Sequence, residues 1–119
     1  MKQMLLTLKP WKWEGCVLVG GTSAEFAVWA KKYIDADIET GTNAAVHAHV
    51  AYGKPWLLWV ATLRDVPALA HEALHVAAGV LEGRGMKFTA DSEEAYTYTM
   101  EHIIREVLAC KRWREAGPK

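Results

Sequence analysis

Cysteine is scarce in this chain, and its two residues, Cys16 and Cys110, lie far apart with no C-x-x-C spacing. Two such thiols cannot build the disulfide framework of a small secreted domain, so both read as reduced packing residues of a cytoplasmic protein, a bond between them being the alternative. Neither sign of charge is in surplus: fourteen Lys and Arg stand against fourteen Asp and Glu. That balance excludes the broad positive field that draws nucleic acid or an anionic membrane. Long hydrophobic runs are missing too. The longest, Pro55 to Leu63, falls far short of the roughly 20 residues of a spanning helix. The N-terminal MKQMLLTLKPWKW has a short apolar stretch but no long h-region followed by a small-residue cleavage site, so no export signal is read. There is no repeat, no low-complexity tract and no interdomain linker.

What is present suits one core. With 119 residues, 51% of them hydrophobic and six of them Trp, the chain holds enough apolar material for a single domain over 1–119 and too little length for two. Gly15–Gly20 is a β-branched apolar run closed by glycines, which predicts a buried strand. Thr22 and Glu25 form a capping box for a helix with Phe26, Trp29, Ala30 and Tyr33 on one face. In TGTNAAVHAHVAY, Val46, Ala48 and Val50 alternate with His47, His49 and Ala51, the pattern of a half-buried strand. After a turn at Gly53–Pro55, WLLWV predicts a second strand, the two making a hairpin with one face to solvent. Asp65 caps and Pro67 opens a central helix that stops near Gly83 and Gly85. A last helix starts near Asp91 or Ser92 and runs to Trp113, with a frayed tail beyond. The expected fold class is α+β: a short, mostly antiparallel sheet packed with the central helix and a C-terminal helix.

The chemistry lies in the central helix. His71, Glu72, Ala73, Leu74 and His75 spell HExxH, and a spacing of four sets both imidazoles on one face, one turn apart, where they can share a metal ion. Zinc takes neutral imidazole and, in catalytic sites, three protein ligands and a water. Glu72 is rotated about 100° from His71, beside the metal-bound water rather than on the metal, where a general base belongs. A third ligand is needed, and the start of the last helix offers Glu93 and Glu94, of which Glu94 is preferred. Its rival role is structural, because Asp91 and Glu94 also form a D-x-x-E capping box.

Here the chain resembles the zincin metallopeptidases of the Glu-ligand type, to which thermolysin belongs. The shared features are HEALH, then a Glu followed by Ala on a downstream helix, as in Glu94 and Ala95. The likeness is close from about Val66 to Tyr98. More loosely, VLVGGTSAEFAVWAKKYI and SEEAYTYTMEHI are similar to small zinc peptidase-like proteins encoded in phages and prophages. The resemblance implies a zincin-like fold, zinc held by His71, His75 and Glu94, Glu72 as base, a protein or peptide substrate, and residence in the cytoplasm, that of the host cell if the chain is phage-encoded. Two departures stand out. The position one turn after Glu94 is Tyr98, where larger relatives of the thermolysin type carry an acidic residue, and no second subdomain is present to supply specificity pockets.

Tyr96, Tyr98 and His102 are candidate donors to a tetrahedral oxyanion, with aromatic packing as the plainer role. His47 and His49 project to one side of their strand, a spacing that suits either a metal or an exposed polar face. Trp11, Trp13, Trp56 and Trp59 suit either a groove or the core. The leading expectation is a zinc-dependent peptidase. Its rivals are a non-catalytic zinc protein that uses the site for structure or partner docking, closed by a fourth ligand such as His102 or His49, and a metal-free adaptor.

Overall fold

The computed structural model describes residues 1–9, 11–39 and 46–117. Its elements follow in the order β1 (Lys2–Leu8), β2 (Trp13–Val19), α1 (Ser23–Ile34), β3 (Val46–His49), β4 (Trp56–Val60), α2 (Val66–Gly83), α3 (Glu93–Ala109) and β5 (Arg114–Glu115). Among the described residues this is an α+β structure, with three helices on a five-stranded sheet of order β3-β4-β2-β1-β5. The sheet is mostly antiparallel, as expected, with one parallel pair, β2 and β4. No helix among the described residues is long and apolar enough to cross a membrane.

Side-chain alternation along the strands divides the core into two layers. On one face Val17, Trp56, Leu58 and Val60 meet Leu69, Ala73, Val76 and Val80 of α2 and Ile103 and Val107 of α3. On the other, Cys16, Leu18, Leu57 and Trp59 meet Phe26, Trp29 and Ala30 of α1. The expectation that the β3–β4 hairpin turns one face to solvent is therefore corrected. Every residue of β4 is buried, because helices cover both sides, and an unbroken apolar run such as WLLWV is the pattern of a strand covered on both faces. The Cys16 thiol is caught in this interior, and burial, followed by the charge of Glu14, pushes its pKa up to about 12. Both cysteines are free.

The helix starts follow their caps. Thr22 Oγ1 accepts from Glu25 N at 3.1 Å, and Asp65 Oδ1 accepts from Ala68 N at 3.1 Å. α2 ends in paired backbone bonds, Gly85 N to Glu82 O and Met86 N to Leu81 O, each 2.9 Å, with Gly85 at φ +83°. Part of the expected β3 strand, residues 40–45, lies outside the described residues.

Three expectations at the chain ends change. β1 was not foreseen, although Met4, Leu6 and Leu8 alternate toward the α2 and α3 layer. The last helix ends at Ala109, four residues before Trp113, with Cys110 already extended at φ −64°, ψ 127°. The tail is not frayed through Ala116. Lys2 pairs with Glu115 and Gln3 with Arg114, and Ala116 N donates to Met1 O at 2.9 Å. Two ladder pairs recover the backbone bonds that an open β1 edge would otherwise leave to water.

Gly15 stands opposite Trp56 in the parallel ladder, and a Cβ there would lie 1.9 Å from Trp56 Cδ2. The missing side chain is what seats the indole, whose Nε1 donates to Trp13 O at 3.0 Å. Gly15→Ala should therefore lower the unfolding free energy by about 2 kcal/mol or more, at the upper end of overpacking costs. Urea titration measures this, and an unchanged midpoint would mean that the indole is seated elsewhere.

Candidate metal and catalytic site

α2 lies close against the sheet because two of its residues have no side chain. A Cβ at Gly79 would stand 2.8 Å from Val50 Cβ, and one at Gly83 would stand 2.8 Å from Trp13 Cζ3. With Leu69, Ala73, Val76, Ala77, Val80 and Leu81 buried, the rotation of the helix about its axis is fixed. His71 and His75 then fall on the solvent side, and Glu72 is half-buried between that side and the sheet.

The two imidazoles converge. His75 Nε2 lies 3.2 Å from His71 Nε2, with ring centroids 4.9 Å apart. Two nitrogens at about 2.05 Å from a tetrahedral zinc would be about 3.3 Å apart, so the pair has the separation of one edge of such a site. Glu72 acts on β3. His47 is displaced to a lower pKa first by burial, with the Glu72 carboxylate pulling the other way. The His47 ring also meets Phe26, centroids 6.0 Å apart, on the α1 side of the edge strand. Sequence reading had His47 as a polar strand face. It missed the proximity to Glu72, which comes from α2 lying along β3 and leaves no local signature.

The structure does not bring Glu94 to the histidines. No group of three or more His, Cys, Asp or Glu side chains able to hold a metal ion occurs among the described residues. Glu94 is exposed and precedes the buried Tyr96 by two residues, about 200° around the helix from the core-facing side. The capping-box alternative is out of register as well, since Ser92 holds the cap position and makes no side-chain cap bond. Its hydroxyl instead accepts from Thr89 N at 2.8 Å and donates to Lys87 O.

The candidate oxyanion donors separate. Tyr96 is buried, and its hydroxyl donates to Met86 O at 2.8 Å, which is the packing role. Tyr98 is 67% exposed. It lines, with His102, a cavity against Thr7, Leu8 and Lys9 at the end of β1. The tryptophans serve the core: Trp13, Trp56 and Trp59 are buried and donate to Lys54 O, Trp13 O and Gly20 O.

Comparison with family models, with curated proteins and with solved structures gave no match to the chain. The functional reading therefore rests on the residues themselves.

His47 and His49 make the stability of the fold depend on pH. Both are pushed below the ordinary histidine value, His47 by burial and His49 by burial together with His47 and Lys54. Above the unfolded value of about 6.5 both states are neutral and nothing changes. As pH falls through that value toward the folded values, the unfolded chain binds protons first, so stability drops and then levels off below them. Chemical denaturation between pH 7.5 and 5 should show this loss, and His47→Gln should shallow it. A flat profile in the parent chain would mean that β3 does not bury these rings.

Proposed function

We propose that the chain is a zinc-dependent metallopeptidase acting on a protein or peptide substrate in the cytoplasm, with His71 and His75 as metal ligands and Glu72 as general base. The observation that carries the reading is the 3.2 Å separation of the two Nε2 atoms on the solvent side of α2, with Glu72 between them and the edge strand. Neutral imidazoles of that spacing are a zinc donor set. Glu94 is proposed as the third ligand on its place in the sequence after HEALH.

Zinc, when bound, supplies a Lewis acid and a water whose pKa is lowered to about 7. The protein's part follows from its own groups. Glu72 takes the proton of the attacking water and later delivers it to the leaving amine nitrogen as the C–N bond breaks. β3 is the terminal strand of the sheet among the described residues, so its free edge can accept an extended peptide by backbone pairing, holding the scissile carbonyl beside Glu72. None of the three candidate oxyanion donors stands beside that edge: Tyr98 and His102 lie against the end of β1, three strands from β3, and the Tyr96 hydroxyl is engaged with Met86 O.

The expected outcome in metal analysis is about one zinc per chain, lost in His71→Ala and His75→Ala. Glu72→Gln should keep the metal and lose proteolysis by a factor of about 1,000 or more, the scale of a missing general base and its positioning. Cleavage by Glu72→Gln at the parent rate would remove Glu72 from the mechanism. Stoichiometric zinc with no cleavage of any peptide by the parent chain would favour the non-catalytic zinc protein.

A further inference from the structure

At the far end of α2 from its cap, the β1–β2 turn, the β3–β4 turn and the helix terminus border an open cavity of about 350 Å³. Lys12, Lys54 and Arg84 line it against a single carboxylate, Glu14. Among the described residues none of these four side chains forms a salt bridge. Arg84 is held in place: its guanidinium lies 4.6 Å from the Trp13 ring centre, and its Nε donates to Trp11 O at 3.0 Å. Those two contacts orient the planar group and leave both terminal nitrogens for one carboxylate, which such a fork binds bidentately. Lys54 Nζ donates to Asp35 O and its charge also lowers the pKa of the Asp35 carboxyl, so Lys12 and Arg84 are the cavity's main cations. Lys12 sits at φ +56°, a left-handed conformation that side chains other than glycine, asparagine and aspartate seldom adopt. Glycine would be the unstrained choice there, so the lysine side chain is kept at a backbone cost. Tyr52, 84% exposed, stands edge-on to Trp13 with ring centroids 6.5 Å apart and forms an apolar wall.

The cavity and the histidine pair lie along one line. α2 runs alongside β3 in the same sense: Glu72 acts on His47, Gly79 meets Val50, and Arg84 shares the cavity with Lys54. From His75 to Arg84 the helix advances about 14 Å at about 1.5 Å per residue, the reach of about four residues of extended chain. A peptide added antiparallel to β3 would run from the cavity toward the pair, so its amino-terminal part would lie over the cations.

We infer that this cavity binds an acidic side chain of the substrate and selects Asp or Glu about four residues to the amino side of the scissile bond. The peptide as occupant rests on the peptidase reading; the anion site rests on its own geometry. A peptide is favoured over nucleic acid because the cations are confined to one cavity on a chain without surplus charge, where a polyanion would need an extended basic track.

The test measures binding, using the full-length chain carrying Glu72→Gln to prevent cleavage. Two labelled decapeptides, identical but for one Asp replaced by Asn, are titrated by fluorescence anisotropy. The Asp peptide should bind about tenfold more tightly. That preference should disappear in Arg84→Gln and in Lys12→Gly, the latter removing a charge while relieving the backbone, so that its melting temperature holds or rises. Equal binding of the two peptides, an undiminished preference in both variants, or an oligoribonucleotide of equal length binding as tightly as the Asp peptide would overturn the inference. Because no turnover is needed, a chain that discriminates the peptides while its unsubstituted form cleaves neither sinks the peptidase reading and upholds the anion site.

Discussion

The close approach of α2 to the sheet at Gly79 and Gly83 is the constraint from which the candidate site follows. At both positions the space a Cβ would need is filled, by Val50 and by Trp13. A helix that touches its support at two points about one turn apart cannot rotate about its axis without breaking a contact. The buried stripe from Leu69 to Leu81 adds the apolar weight, at about 1.5–3 kcal/mol for each fully buried leucine or valine. Helical periodicity does the rest, carrying His71 and His75 outward and Glu72 to the flank beside β3. The orientation of three polar side chains is thus a consequence of packing, not of contacts among themselves.

The same reliance on burial holds across the sheet. Among the described residues, every salt bridge joins side chains that are more than half exposed, where water and salt screen them. They can adjust local geometry, but they do not hold the layers together. The tryptophans do more. Each of Trp13, Trp56 and Trp59 fills the interior and also donates its indole N–H to a main-chain carbonyl remote in sequence, so apolar burial and hydrogen bonding act at one residue. Trp29 departs from this habit, its buried Nε1 having no partner among the described residues, and it belongs to α1, on the sheet face covered by that helix.

How much of this was legible in the sequence differs by scale. Local chemistry read well. Thr22, Asp65 and Gly85 act where capping and glycine rules put them, and the i, i+4 spacing of His71 and His75 became a converging pair. Chain ends read poorly. β1 and β5 hold each other by pairing across the length of the chain, and neither MKQMLLTL nor REA announces a partner so remote. The end of α3 at Ala109 was hidden because CKRW carries no breaker; tertiary contacts stop it. Glu94 shows the limit most plainly. Its place after HEALH is a one-dimensional fact, whereas its direction depends on the rotation of α3, set by the Tyr96 hydroxyl on Met86 O and by Trp11 Nε1 donating to Thr99 Oγ1 at 3.2 Å.

Those two bonds bear directly on the proposed site. They fix α3 from its buried side, so a carboxylate on its outer side reaches the histidines only through its own flexible side chain or through a shift of the first turn. That turn is itself held by Ser92, whose hydroxyl accepts from Thr89 N and donates to Lys87 O, so the reach of the Glu94 side chain matters more than movement of the backbone. α2, by contrast, is continuously hydrogen-bonded from Val66 to Gly83 and pinned to the sheet, so the distance between the histidine pair and Arg84 does not change when α3 moves. In the proposed reading the chain therefore separates two demands physically. The position of the substrate along β3 is measured against a rigid helix, while completion of the metal site depends on the reach of a carboxylate from the outer side of α3.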